Sequence, residues 1–379
     1  MRGTNILWTA CILTTSVIGC KKESIKQKAG DYTFEAHAQH DLFKKTLERY
    51  QTATQAPGTI LLVAKPGTET WIGALGAKDI GKNTAMLTNT PVRVGSITKM
   101  YIATYILMLC QQGLLSLDTK LQEVLPGIAA EIPGSGPVTV KQLLSHLSGV
   151  YDPSNNSNRY KTDLINDPKQ FATISIPELL EKYVFGKQLS FSPGNSYSYS
   201  NSGYWLLGLI AEKVKGGKKL GLLLREELLI PNNLKHTFLE TADPGTLSKG
   251  YAVVSGKTLQ DVTLLDAADG DSKAHGGIVA TAEDIGSFVS LLFTGELLTA
   301  SNLNLMKEIQ LSDCNSEECA YGLGLEIWDV QGLQAFGHNG SSVGYEANVL
   351  FFEKNKTVVF LYKNIGGGSD KRFLYDLVN

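Results

Sequence analysis

No excess of charge marks this sequence. Across 379 residues, 35 lysines and arginines face 37 aspartates and glutamates, a formal net charge of −2. Without a basic stripe, nucleic acid is not an expected partner. Beyond the first twenty positions no apolar run is long enough to span a bilayer. Cysteine is scarce, five residues in all. None is spaced as a zinc site: Cys314 and Cys319 bracket four residues and have no second pair. No cofactor motif and no internal repeat appear, so neither a metal nor a cofactor is expected. What remains is 43% hydrophobic and 19% charged, an ordinary globular composition long enough for one large domain or two intimate ones.

The first residues read differently. Arg2 is the only early charge, Ile6 to Ile18 is mostly apolar, and Val17-Ile18-Gly19-Cys20 follows. This is the pattern of a secretory signal over residues 1–19. Its end resembles a bacterial lipobox, which implies cleavage before Cys20 and lipid modification of that cysteine. Residues 20–35 are rich in Lys, Glu, Ser and Gln and read as a flexible tether. The expected location is the bacterial cell envelope, on a membrane through a lipid anchor and facing the periplasm. Lys21 is not the aspartate linked to inner-membrane retention, which favours the outer membrane. Cys11 leaves with the signal, Cys110 sits in an apolar helical run as a core residue, and Cys314 and Cys319 could close a small loop outside the cytoplasm.

The remaining domain, 36–379, begins with helical spacing at Glu35 to Gln51, carried by Leu42, Phe43, Leu47 and Tyr50. His37 and His40 near its start read as surface histidines rather than ligands. Thr59–Ala64 and Thr70–Leu75 flank a Pro66-Gly67 turn and predict a hairpin. Met100 to Cys110 is apolar nearly all round and predicts a buried helix. Thr139 to Gln142 is a capping box for a helix ending at Gly149, and Ser175 to Glu178 starts another. Tyr151–Tyr160 is a polar loop; with Asn302–Ala320 it is expected to wall the substrate site. Tyr204 to Val214 and Lys218 to Leu229 are helical, and Thr281 to Asp284 caps a helix reaching Phe293. Strands return at Tyr321–Ile327, Ala335–Asn339, Tyr345–Phe352 and Thr357–Lys363, before a short helix over Lys371–Val378. Strands at both ends and helices between predict an α/β or α+β fold, an antiparallel sheet flanked by helices. Residues 36–105 and 270–379 form the sheet region and 106–269 an inserted, mainly helical region, with a site at the junction.

The chemistry gathers around Val94-Gly95-Ser96-Ile97-Thr98-Lys99. On a helix, residues three apart share a face, so the Lys99 amine can reach the Ser96 hydroxyl. A serine hydroxyl becomes a nucleophile when a neighbouring base takes its proton. The first helical turn also offers unpaired N–H groups and the positive end of the dipole to a developing oxyanion.

Two further segments follow, Tyr199-Ser200-Asn201 and His338-Asn339-Gly340. In this order the three resemble the active-site motifs of the serine β-lactamase and penicillin-binding superfamily, in its class C β-lactamase and DD-carboxypeptidase branch. Leu143-Leu-Ser-His146-Leu-Ser-Gly149, Phe191-Ser-Pro193-Gly194 and Gly344-Tyr345 resemble that family's connecting blocks. The resemblance spans about residues 40 to 379. It implies a Ser96 acyl-enzyme, with Lys99 and Tyr199 as the two contenders for the base. Asn201 would bond the Lys99 amine or an acyl-side amide. Gly340 would let the strand approach the substrate, beside His338 and Asn339 in the binding wall. The backbone N–H groups of Ser96 and Ser341 would form the oxyanion hole. His146 and His275 resemble structural or rim positions. The implied partner is a small-molecule or peptide substrate: a D-Ala-D-Ala-like peptide, an ester or amide, or a β-lactam.

The β-lactamases of this branch open the third motif with lysine. A histidine near its ordinary pKa is charged only part of the time at neutral pH, so His338 argues against efficient β-lactam hydrolysis and for peptidase or esterase chemistry. Gly340-Ser341-Ser342-Val343-Gly344 also matches the nucleophile elbow of α/β-hydrolases, but that fold needs a histidine after the serine and none follows His338. A non-catalytic surface protein sensing peptidoglycan or antibiotics would tolerate a degraded motif set; here Ser96, Lys99, Tyr199 and Asn201 are intact.

Overall fold

The strands carry near-continuous apolar runs, and a strand covered on both faces is the packing that accepts such a run. In Gly58–Ala64, Ile60 and Leu62 enter one core while Leu61 and Val63 enter another. In Thr357–Lys363, Val358, Phe360 and Tyr362 join the first core, and Val359 and Leu361 the second. These two strands, from opposite ends of the chain, lie side by side, with Leu61 opposite Leu361.

The computed structural model describes residues 30–239, 246–254, 256, 258–310, 320–368, 372–375 and 377. Its main sheet has nine strands, all antiparallel to their neighbours. In space they run Asp31–Tyr32, Trp71–Asp79, Gly58–Ala64, Thr357–Lys363, Glu346–Phe352, Leu333–Ser341, Glu326–Val330 and Ala320–Tyr321, with Thr84–Ala85 paired to Trp71–Asp79. One face is covered by helix His40–Thr54, through Phe43, Leu47 and Tyr50, and by Phe373, Leu374 and Leu377. The other face carries Ala282–Thr294 and the central helix Thr98–Gln111, which is buried from Thr98 to Leu107 without a break. Asn201–Val214 packs against the central helix. The mixed fold is the one expected, an antiparallel sheet with flanking helices.

Several boundaries differ from the sequence pattern, each for a local reason. The first helix starts at His40 rather than Glu35, because the His37 ring accepts the Gln39 N–H at 3.0 Å and holds a turn there. The segment expected as one strand over Tyr321–Ile327 is two, broken where Gly322 N–H bonds Leu325 C=O and Gly324 takes a φ of +73°. A Cβ on Gly324 would sit 2.4 Å from the Ala103 Cβ, so the break lets the chain lie directly on the central helix. The capping-box helix stops at Leu144, well short of Gly149. Tyr151–Tyr160 is not a loop: Asp152 and Ser157 cap short helices at Pro153–Asn156 and Asn158–Asn166. Cys110 is half-buried and its thiol is free. Cys20, the signal segment, Cys314 and Cys319 lie outside the described residues, among which no helix is long and apolar enough to cross a membrane.

Candidate active site

Ser96 stands in a single 3-10 turn, Gly95–Ile97, that runs straight into the central helix. The turn keeps the helical offset of three residues, and Lys99 Nζ lies 3.0 Å from Ser96 Oγ. Ser96 keeps partial access to solvent, while Lys99 is 0% exposed. On the other side of the hydroxyl, Tyr199 OH bonds Ser96 Oγ at 2.7 Å. The tyrosine comes from the segment preceding helix Asn201–Val214, whose N-cap is Ser200. That segment is fixed from below, since the Ser200 N–H bonds His146 Nδ1 at 3.0 Å and the His146 ring lies 4.2 Å from that of Tyr199.

Lys99 has two acceptors besides the serine. Its Nζ donates to Asn201 Oδ1 at 2.8 Å and to the His275 carbonyl at 2.7 Å. A neutral amine with both N–H groups committed in this way turns its lone pair toward Ser96. Burial pushes the Lys99 pKa down to about 7, against the pull of the carboxylates of Asp152, Glu326 and Asp269. Burial drives Tyr199 the other way, well above the ordinary phenol range, so its hydroxyl keeps its proton. One neighbour of Ser96 is therefore poised near neutrality and the other is held as an acid.

The third motif occupies strand Leu333–Ser341, which passes beside the 3-10 turn. A Cβ on Gly340 would fall 1.9 Å from Val94 C=O and 3.0 Å from the Ser96 N–H nitrogen. Gly95, at φ +54°, permits the reciprocal approach: a Cβ there would meet Ser341 N at 3.1 Å. The Ser96 and Ser341 N–H groups are thus brought to one place by two glycines. Asn339 is half-buried and Ser341 exposed.

His338 departs from the expectation that it is a part-time cation at the site's edge. Its side chain is fully buried, with Nε2 3.0 Å from Tyr321 OH and Nδ1 2.5 Å from the Asn339 carbonyl. Burial and the nearby Lys99 hold its pKa well below the ordinary histidine range. The hydrogen bond to the Asn339 carbonyl acts in the opposite direction, and Glu326 Oε1 lies 3.3 Å from Nδ1 in a carboxylate that also receives Trp328 Nε1 and the Asn339 N–H. Neutral His338 is a strut between the third motif and Tyr321. His275 is likewise structural in its ring, accepting from Trp205 Nε1 at 2.9 Å, while its carbonyl serves Lys99. His40 accepts from Trp71 Nε1. Among the described residues no group of three or more His, Cys, Asp or Glu is placed to hold a metal.

Sequence reasoning missed Asp152 and Ser154, which lie in the stretch read as a polar loop and bond Asn201 directly. A signal existed, since Asp followed by Pro is a helix start. It also missed Tyr321 and Glu326, placed beside His338 by the broken edge strand.

The chain matches the family model described as Beta-lactamase over residues 43–378. It is 26% identical over 353 residues to penicillin-binding protein 4 of Amycolatopsis lactamdurans, covering 89% of this chain and 88% of that protein. Among solved structures, a D-stereospecific amidohydrolase from a Streptomyces species superposes with a TM-score of 0.76 at 26% identity, covering 88% of this chain and 97% of the other. The D-amino acid amidase of Ochrobactrum anthropi SV3, complexed with L-phenylalanine amide, superposes with a TM-score of 0.74 at 25% identity, covering 89% and 94%.

Proposed function

The chain is a serine hydrolase of the beta-lactamase and penicillin-binding protein family, and from that premise we propose that it cleaves small amides and esters, D-aminoacyl amides among them, through an acyl-enzyme on Ser96. Lys99 takes the Ser96 proton as Oγ attacks the carbonyl, forming the Oγ–acyl bond. The Ser96 and Ser341 N–H groups receive the oxyanion. As the C–N or C–O bond breaks, Tyr199 hands its proton to the leaving atom, and the Lys99 ammonium returns one to the phenolate. Water then repeats the sequence to release the acid. Lys99 is the initial base in this reading because it is the neighbour whose neutral form is within reach near pH 7.

The observation that carries the choice of substrate is electrostatic. Among the hydrogen bonds of the described residues, the only cationic side chain reaching Ser96, Tyr199 or Asn201 is Lys99. Lys99 must be neutral to act as a base, and His338 is neutral and closed off. Nothing in that set is left to hold a substrate carboxylate, which a D-Ala-D-Ala peptide or a penicillin presents. An amide or ester without a carboxylate asks for no such partner, and the amidohydrolase and D-amino acid amidase neighbours support this side of the family.

Turnover of p-nitrophenyl butyrate, D-phenylalanine amide, a diacyl D-Ala-D-Ala tripeptide and benzylpenicillin by residues 21–379 and by Ser96→Ala tests the reading. Ester and amide turnover that vanishes with Ser96 is expected. D-Alanine release with a higher kcat/KM than either would reverse the substrate choice, and an unreactive protein that binds penicillin equally without Ser96 would make it a sensor. The mature protein is further proposed to be a lipoprotein anchored through Cys20, on the signal and lipobox pattern. The expected check is the lipid mass on the N-terminal peptide, lost in Cys20→Ala.

A further inference from the structure

Asn201 meets Lys99 through its amide oxygen, yet its amide can present either end to the lysine. What selects the oxygen lies outside the three motifs. Asp152, buried at the start of Pro153–Asn156, receives four donors. Oδ1 accepts from the Ser154 N–H at 3.1 Å and the Ser154 hydroxyl at 2.7 Å; Oδ2 accepts from Asn155 Nδ2 at 2.6 Å and the Asn201 N–H at 3.2 Å. A carboxylate only accepts, so the Ser154 hydroxyl must donate to it. That leaves Ser154 Oγ as an acceptor, and Asn201 Nδ2 donates to it at 2.8 Å. With its nitrogen committed, Asn201 must turn Oδ1 to Lys99 Nζ. Each step fixes the next, and the direction of the chain is set by one charge.

We propose that Asp152 and Ser154 are positioning residues that lock the Asn201 amide oxygen onto Lys99 and so aim the amine's lone pair at Ser96. The proposal rests on the acyl-enzyme reading above, although the orientation it asserts exists without turnover. Without Ser154, the Asn201 amide is free to turn its NH2 toward Lys99. The ammonium form then loses an acceptor and faces a dipole of the wrong sign, and the neutral amine loses its fixed direction. The expected signature is two effects together: a lower maximum rate and an acid limb moved to lower pH. A merely loosened fold would lower the rate without the shift.

The surroundings of Lys99 allow this titration to be assigned. The carboxylates acting on it are Asp152, Glu326 and Asp269. Burial holds the rings of His146, His275 and His338 below the ordinary histidine range, and those of Tyr199 and Tyr204, which lie 4.7 and 5.3 Å from Nζ, above the phenol range.

Two readouts test it, the pH profile of kcat/KM for p-nitrophenyl butyrate and the 13Cε chemical shift of Lys99, assigned by its loss in Lys99→Met. In Ser154→Ala, kcat is expected to fall about 10- to 100-fold, and the Lys99 midpoint to fall by about one pH unit, a tenfold change in its protonation equilibrium. Asp152→Asn, which also removes a negative charge, should lower it at least as far, and Ser154→Thr should restore both. An unmoved Lys99 midpoint in folded Ser154→Ala overturns the proposal, whether or not kcat falls. If Ser154→Ala does not fold, Ser154→Gly, which also removes the hydroxyl and leaves the Asp152 charge in place, carries the same comparison. Should wild type turn over nothing, the resonance still reads the orientation, so failure of the acyl-enzyme reading and failure of this one are distinguishable.

Discussion

Replacing Lys99 by methionine separates what the buried amine costs from what it does. Lys99 is fully buried and its pKa is lowered from 10.5 to about 7. The unfolded chain therefore binds more protons than the folded one between about pH 7 and 10.5, and stability rises with pH across that window. Below about pH 7 both states hold the proton and the full penalty applies, about 5 kcal/mol for a pKa lowered from 10.5 to about 7. Half-titration leaves about 4 kcal/mol at pH 7, and about 2 kcal/mol remains at pH 9. Methionine has a similar length and carries none of this penalty, but it strands Asn201 Oδ1 and the His275 carbonyl, which lose donors at 2.8 and 2.7 Å. At about 1–3 kcal/mol each, those orphaned acceptors cost about 4 kcal/mol together. Lys99→Met is thus expected to be inactive, to match wild type in stability at pH 7, and to fall about 2 kcal/mol behind it at pH 9. Urea unfolding of both proteins at pH 7, 8 and 9 reads the gap, and their difference cancels the titrating groups that do not feel the Lys99 charge. A gap that stays constant from pH 7 to 9 would refute the depressed pKa, and with it the assignment of Lys99 as the base. The same group should appear in wild-type kcat/KM as an activity that rises with pH through about 7.

Three other outcomes follow from named contacts. Tyr199→Phe removes the hydroxyl 2.7 Å from Ser96 Oγ; kcat/KM should fall about 10²–10⁴-fold, most steeply for amides, while the melting temperature holds. Gly340→Ala drives a Cβ to 1.9 Å from Val94 C=O, so the strand must retreat from the 3-10 turn; steady-state assays should show a loss of at least about 10²-fold. Asn364→Ala strands the Gly58 N–H and the Ala77 carbonyl, bonded now at 2.6 and 2.9 Å inside the sheet; a loss of about 2–4 kcal/mol in urea unfolding is expected with little change in KM.

How far the chain could be read depended on whether the information was local. The hairpin at Gly58–Ala64 and Trp71–Asp79, the central helix and the Thr139, Ser175 and Thr281 caps were legible, because strand runs, apolar girth and cap residues act within a few positions. The union of the two chain ends in one sheet was legible too, from strands that flank a helical middle. The break at Gly322–Leu325 was not, because it answers to Ala103 on another element. The short helices after Asp152 were hidden by their polarity, though the Asp-Pro start was in view. At the site, the spacing of Ser96 and Lys99 predicts their contact; that Tyr199 and Asn201 arrive there came from the resemblance, since no local rule joins positions a hundred residues apart.

The charge of His338 was the least legible feature, and it bears most on function. Period-two alternation puts residue 338 on one face of its strand, but both faces are buried there, and the partners that meet the ring, Tyr321 and Glu326, come from neighbouring strands. Once His338 is neutral, the choice of base and the choice of substrate are no longer independent. A site with a separate cation at the third motif can keep Lys99 neutral and still hold a substrate carboxylate. Here Lys99, the one amine that reaches Ser96 among the described residues, would have to do both, and it cannot be ammonium for the carboxylate and free base for the hydroxyl in the same complex. His338→Lys therefore does not simply restore a β-lactamase motif. A second ammonium beside the first would lower the Lys99 pKa further through like-charge repulsion, while Glu326, 3.3 Å from the present ring, would take up the new charge. The expected result is an acid limb of ester turnover shifted below about pH 7, with no gain in benzylpenicillin hydrolysis. An efficient penicillinase from that single change would show that the third-motif cation alone had been missing.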